Sequence, residues 1–319
     1  MPPRLLALAI LLALLAGAPF AAAWVKLFLI ITLAKGLAVL GIVILLQAGQ
    51  VSFGHALYFG VGAYAVAYVG RWLGGGELAT LLLASAVVAA VVGLAVGLFV
   101  VRYRYIFFGM LNLAFSMVFY SILEKFFNLT GGSDGLRVLR PRVLGFTLER
   151  AGFETALYAA TVGLSIAALI LAHRYFASTP GQMLRAIKSN ETRLDYIGVS
   201  AQRVLLGAYV ASAVLCGVGG AITALVQGVT TPEFAFWTRS GEFVFIAILG
   251  GAGHVAGAFV GAVIFEGLRN GAAVVFSDAW QLVLGVALLV IVTYAPEGVC
   301  GLAARRLAKP RSDAPESAP

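Results

Sequence analysis

The chain has 319 residues, 61% of them hydrophobic and only 11% charged, with a mean hydropathy of +0.98. Soluble domains carry about 45–50% apolar and about 25% charged residues, so the composition excludes an ordinary soluble enzyme, a nucleic-acid-binding domain and a disordered chain. The net charge of +8, from 22 Lys and Arg against 14 Asp and Glu, reads here as basic residues in short cytoplasmic loops that orient membrane spans.

At about 20 residues per membrane helix, the apolar content fills roughly eight to ten spans. The expected fold class is therefore all-α: a polytopic bundle of about 8–10 transmembrane helices in a lipid membrane. The first apolar run, 5–16, follows Arg4 and leads to Pro19 and Ala21-Ala22-Ala23. Two readings stand for it: a secretory signal with a small-residue cleavage site, or an uncleaved first span. The spans that follow at once favour the second. Further spans are expected at 25–47, 51–70, 78–101, 105–123, 156–175, 204–227, 243–276 and 280–298. The run 243–276 is too long for one crossing and is interrupted by Gly250-Gly251-Ala252-Gly253-His254. It reads as two shorter spans, or as a re-entrant hairpin plus a span. Irregular backbone at that depth is tolerated only where protein or a water-filled cavity surrounds it.

With Arg4 inside and the spans alternating, Arg102, Arg104, Arg174, Arg185, Lys188, Arg193 and Arg203 all fall on the cytoplasmic side. Arg305, Arg306, Lys309 and Arg311 join them if 243–276 crosses twice, as the positive-inside rule expects. The loop 124–155 falls outside. The tail 301–319 is basic, then rich in Pro, Ser and Asp, the composition of a disordered cytoplasmic end.

The inner loop 177–203 is built as a structured element. Thr179 is the expected cap and Pro180 the first helical position, and Gly198 sits where a helix stops in the left-handed conformation. Met183, Leu184, Ile187, Leu194 and Ile197 recur at helical spacing, with Arg185, Lys188, Glu191, Arg193 and Asp195 between them. A break near Ser189-Asn190 divides the segment into two short helices. Its apolar face has two possible destinations, the lipid headgroups or a groove on a cytoplasmic partner, and composition does not choose between them.

Polar groups inside apolar runs mark a candidate path. Gln47, Gln50, Ser52 and His55 cluster in one segment, and Asn112 and Ser116, four apart, share one helical face. Such groups face the bundle interior, either along a solute path or in hydrogen bonds between helices worth about 0.6 kcal/mol. The glycines around Gln50 and Ser52 permit a break whose unwound backbone offers polar groups to a solute. Gly93/Gly97, Gly257/Gly261 and Gly267/Gly271 have the spacing that lets helices approach closely. Lys26 is expected to snorkel to a surface, Lys35 to face the interior, and Glu266 to pair with Arg269 across one turn.

Several chemistries are set aside. Cys216 and Cys300 form no disulfide framework, and neither metal nor cofactor is implied. No phosphate-cradling Gly-x-x-x-x-Gly-Lys loop is present, so ATP energy has to come from a separate chain. Gly131-Gly132-Ser133-Asp134-Gly135 fits the nucleophile pattern Gly-x-Ser-x-Gly, but that pattern requires a strand–turn–helix setting. An intramembrane hydrolase is thus the enzyme-class alternative. An ion-coupled carrier is the other alternative, but it needs mid-span carboxylates, and the candidates Glu242 and Glu266 are read near span ends.

The inner loop resembles the "EAA" loop of ABC-importer permeases. In the branched-chain amino acid permeases this reads close to Gly-x-x-Leu-Arg-Ala-Ile-x-x-Asn-Glu, followed by an acidic residue three before Gly-Ile. Here the match runs from Gly181 through Leu184-Arg185-Ala186-Ile187 to Asn190-Glu191, then Asp195 and Gly198-Val199. Gly49-Gln50-Val51-Ser52-Phe53-Gly54-His55, Leu129-Thr130-Gly131-Gly132, Gly250-Gly251-Ala252-Gly253 and Ala295-Pro296-Glu297-Gly298 also have counterparts. The chain is therefore similar to the LivH/LivM permease family, and most to its LivM type. Where relatives often have Ala-Ala around the acidic residue, this chain has Arg193-Leu194 and Asp195-Tyr196.

The resemblance implies a single permease domain over 1–300, with 177–203 as its cytoplasmic coupling loop. It implies an ABC importer in the bacterial inner membrane that passes leucine, isoleucine and valine, with urea, short amides or other amino acids as alternatives. The implied partners are a second, LivH-like permease, two cytoplasmic ATPases and a periplasmic binding protein, with no nucleic acid. Arg185, Glu191, Arg193, Asp195 and Gly198 would couple to the ATPases. Gln47, Gln50, Ser52, His55, Asn112 and Ser116 would line the path. Thr130, Gly131 and Gly132 would shape the outer loop.

Overall fold

Continuous apolar sequence gives long helices whose backbone polar groups are satisfied internally, the requirement of a bilayer. The computed structural model describes residues 22–275 together with 282, 285, 286, 289, 293 and 298–301. The run 5–16, most of 280–298 and the tail beyond 301 lie outside the described residues. In chain order the helices are α1 (Ala23–Gln47), α2 (His55–Trp72), α3 (Leu78–Val100), α4 (Tyr105–Lys125), α5 (Phe127–Thr130), α6 (Arg150–Ala177), α7 (Thr179–Ser189), α8 (Glu191–Tyr196), α9 (Ala201–Gln227), α10 (Trp237–Gly250) and α11 (Gly257–Val275). Two short strands, β1 (Leu136–Arg137) and β2 (Val229–Thr230), pair antiparallel, with Leu136 opposite Thr230.

By length and composition, α1, α3, α4, α6 and α9 are long and apolar enough to cross a membrane. Helix α1 is apolar all round and buried from Thr32 to Leu45, the pattern of a central span. It packs on α9, with α2, α3, α6 and α11 around the pair. Helices α3 and α4 keep exposed apolar faces, Leu83, Val87, Val91 and Leu94 on one and Ile106, Phe107, Met110 and Val118 on the other.

The loops sort to two ends. Gln47 Nε2 donates to the carbonyl of Ala252, and Arg185 Nε to Gln47 Oε1, while Arg104 pairs with Glu191. These contacts gather the segments around 47–54, 101–105, 177–200 and 251–256 at one basic end. At the other end the backbones around Glu77 and Arg142 pair, β1 pairs β2, and Lys26 Nζ donates to Thr155 Oγ1. This sidedness agrees with alternating spans, and the loop 124–155 stands at the end opposite Arg102 and Arg104.

Boundaries shift where breaks enter the bundle. Helix α2 starts at His55 and not at 51, and α6 starts at Arg150, ahead of the expected 156. The long run resolves into two helices, α10 ending at Gly250 and α11 starting at Gly257, with Gly250 packed on the backbone of Gly257. The first helix of the inner loop opens at Thr179, so its cap position falls on Ser178 and not on Thr179. Ser178 Oγ donates instead to the carbonyl of Tyr175, at the end of α6. Of the three close-packing pairs, Gly93/Gly97 meets Ala213 and Tyr209 of α9, and Gly257/Gly261 meets α10. Gly267/Gly271 faces open space.

Two irregular segments define the interior. Helix α1 ends at Gln47 and the chain re-enters through 48–54 to begin α2; α9 ends at Gln227 and the chain re-enters from the opposite end through 228–236 to begin α10. The two returns touch each other. The amide of Ala56 donates to Ser240 Oγ at 2.8 Å, and the rings of Phe59 and Phe234 stack with centroids 5.6 Å apart.

Candidate functional site

The coupling segment is braced on its own bundle. Leu184 and Ile187 of α7 and Leu194 of α8 are buried, packed with α6 and α9. The apolar stripe therefore covers neither headgroups nor a partner groove; the chain fills that face itself. Ile197 departs from the stripe, 68% exposed beside Tyr196 at 86%. The break at Asn190, with extended backbone, and the left-handed Gly198 (φ 76°) stand where the sequence places them. Arg104 holds Glu191 through two bonds, Nε to Oε2 at 2.8 Å and Nη2 to Oε1 at 2.6 Å. Arg185 bonds Gln47 at 3.2 Å and lies over the Phe176 ring at 5.4 Å. Lys188 and Arg193 are exposed, and Asp195 belongs to α8.

The polar residues read as a path are brought together and closed over by protein. Gln50, Ser52, His55, Asn112 and Ser116 are all buried. His55 lies between two hydroxyls, with Nδ1 2.8 Å from Ser52 Oγ and Nε2 2.5 Å from Ser212 Oγ. Tyr58 donates to Tyr209 at 2.7 Å, and Tyr209 donates to Asn112 Oδ1. Gln50 Oε1 accepts from the amide of Tyr105 at 2.8 Å, tying the first break to the start of α4. Ser116 Oγ donates to the carbonyl of Ala235 at 2.8 Å, tying the second break to the middle of α4. Asn112 and Ser116 do share one buried face, and each serves a different break. Gly54 lies against the Asn112 carbonyl, where a Cβ would overlap it. Ser212, Tyr209 and Tyr58 complete this network; single polar residues on long apolar helices carry no spacing signal in the sequence.

The outer motif is a helix stop. Thr130 Oγ1 donates to the carbonyls of Leu123 and Phe126, and Gly131 follows in the left-handed conformation at φ 73°. Ser133 lies in the 3-10 turn Gly132–Asp134, not at the strand-to-helix elbow a serine nucleophile needs. That removes the structural basis of the hydrolase alternative.

A charge cluster appears where the sequence reading placed span ends. Lys35, midway along α1, reaches Glu242 Oε1 at 2.5 Å and also pairs with Glu266 Oε1. Arg269 Nη1 stands 3.6 Å from Glu242 and 3.8 Å from Glu266. Glu242 and Glu266 are thus interior groups. The second break starts α10 inside the bundle and sets its second turn against the middle of α1, away from any span end. Beside them Arg239 lies over the rings of Phe59 and Phe234, at 5.8 and 5.4 Å. Among the described residues no group of His, Cys, Asp and Glu is arranged to hold a metal ion.

An all-α, multi-pass bundle with two interlocked re-entrant breaks and a braced basic-end helix pair defines a polytopic membrane permease. The chain belongs to the branched-chain amino acid transport system / permease component family, whose model matches residues 24–293. It is 24% identical over 277 residues to the high-affinity branched-chain amino acid transport permease LivM of Salmonella typhimurium, and to LivM of Escherichia coli to the same extent. Those matches cover 79% of this chain but 64% of each relative, so the chain spans somewhat less than two thirds of the relatives' length. The LivH permease of Salmonella typhimurium is 28% identical over 139 residues, 43% of this chain and 44% of its own. No solved structure matches. The family is one of transport subunits, not of enzymes.

Proposed function

We propose that this chain is a permease subunit of an ABC importer in the bacterial inner membrane, passing leucine, isoleucine and valine. Separate ATPase subunits drive it, a periplasmic binding protein feeds it, and a second, LivH-like permease completes the path. The observation that carries the reading is the α7–α8 element. Its apolar side is fixed to the bundle, and its free side presents Tyr196, Ile197, Arg185, Lys188 and Arg193 at the basic end.

A rigid lever with an exposed aromatic and aliphatic pair amid positive charge suits a cytoplasmic partner that moves. Force on it passes through Glu191 to Arg104 and α4, and through Arg185 to Gln47 at the end of α1. Those are the elements that hold the first break. Asp195 and Gly198 set the end of the lever. The solute path opens where the segments 48–54 and 228–236 part, with Gln47, Gln50, Ser52, His55, Asn112 and Ser116 around it. Urea, short amides and other amino acids are the competing substrates of the same class.

An ion-coupled carrier finds its buried carboxylates in Glu242 and Glu266, but Lys35 and Arg269 neutralise both. Uptake is therefore expected to require ATP. The test is co-reconstitution in liposomes: labelled leucine should accumulate only with ATPases, binding protein and ATP present, and vanadate should stop it. Uphill leucine movement by this chain alone would overturn the proposal.

A further inference from the structure

We infer that the open flank of the buried charge cluster, Arg269 with Glu242, is a recognition station for the charged end of a zwitterionic α-amino acid crossing the bundle. This deepens the proposed function and rests on it.

The first argument is depth. Lys35 lies midway along a 25-residue apolar helix, so the cluster lies inside the membrane and not at its surface. Ionisable groups at that depth face a bundle interior or a water-filled cavity, not lipid.

The second is the gradient of exposure. Side-chain exposure is 1% for Lys35 and 6% for Glu266, rises to 18% for Glu242 and reaches 39% for Arg269. The cluster is sealed on the α1 side and open on one flank. Since a charge open to lipid at this depth is strongly disfavoured, that flank faces water or a polar partner.

The third is balance. The open flank carries one group of each sign, the Arg269 guanidinium and the Glu242 carboxylate, 3.6 Å apart. A solute of one sign alone would meet one partner and one like charge there, in a medium that does not screen them. A zwitterion carries both signs and no net charge. Its carboxylate suits the planar donor fork of Arg269, and its ammonium suits the Glu242 carboxylate beside it. Lys35 is a positioning residue, holding both glutamates from behind.

The experiment uses the assembled importer with Cys216→Ala and Cys300→Ala as background. Arg269→Cys is treated with water-soluble methanethiosulfonates, one anionic and one cationic. Both reagents should modify position 269, as a water-facing flank requires. In parallel, Arg269→Gln should lose most leucine uptake while its subunits copurify in the wild-type ratio, and Arg269→Lys should keep a substantial part of it. A thiol that neither reagent reaches would place the flank against lipid or protein and overturn the inference. So would full uptake by Arg269→Gln. A wild-type importer that takes up an uncharged solute and no leucine would instead sink the substrate reading, and zwitterion recognition with it. The two failures are told apart by whether the wild-type complex moves leucine.

Discussion

Arg104 and Glu191, 87 positions apart, meet fork to fork, with bonds of 2.8 and 2.6 Å that join the start of α4 to the start of α8. A bidentate pair of this kind fixes orientation as well as distance. Because it is partly open to solvent, its worth to folding is small, about 0–1 kcal/mol. Glu191→Ala and Arg104→Ala are therefore expected to fold and assemble, yet to hydrolyse ATP with little leucine uptake. The double variant should be no worse than either single one, as residues acting through one contact require. Parallel measurement of ATPase rate and uptake in liposomes checks this; additive losses would separate the two residues.

The Lys35 cluster predicts the opposite balance of effects. Lys35→Met strands two carboxylates inside the bundle, and breaking a buried pair from one side costs about 3–5 kcal/mol. A sharp fall in folded yield and in thermal midpoint in detergent is expected. Glu266→Gln introduced with Lys35→Met removes one stranded charge and should recover part of the loss. Equal stability of Lys35→Met and wild type would show that the cluster is not held as described.

Helix α2 meets α9 with no side chain between them at Gly62, whose missing Cβ would overlap the carbonyl of Gly217. Gly62→Ala forces backbone apart, and overpacking of this kind costs about 1–3 kcal/mol. Gly267→Ala meets nothing within 4 Å and should be neutral. Thermal denaturation of the two variants side by side reads the difference, and the helical Gly267 serves as the internal control.

Ser133→Ala should leave leucine uptake at the wild-type level, and a fluorophosphonate probe should not label Ser133. Its turn is not a strand-to-helix elbow, and the His55 ring is held elsewhere, buried between Ser52 and Ser212.

Local signals were readable in the sequence and distant partnerships were not. The spans α1 and α3 follow from unbroken apolar runs, and the split at Gly251, the break at Asn190 and the stop at Gly198 follow from residues that act on their own backbone. The cap was misplaced by one position because Ser178 and Thr179 are chemically alike and only the geometry of the turn separates them. The apolar face of α7 had no readable destination, since that depends on where α6 and α9 run. The charge cluster was hidden for the same reason. Lys35 lies 207 positions from Glu242 and 231 from Glu266, and the depth of Glu242 is fixed by a re-entrant segment that carries no hydropathy signature. The polar residues from Gln50 to Ser116 were found by type, but their enclosure depends on Ser212 and Tyr209, supplied by a helix from the other half of the chain.

The two-residue ribbon in which Leu136 faces Thr230 has a mechanical meaning. It stitches the long loop after α4 to the return that begins α10, so a load on that loop passes directly to the return itself. Loop and return are thus one mechanical body, needing no relay through the helices between.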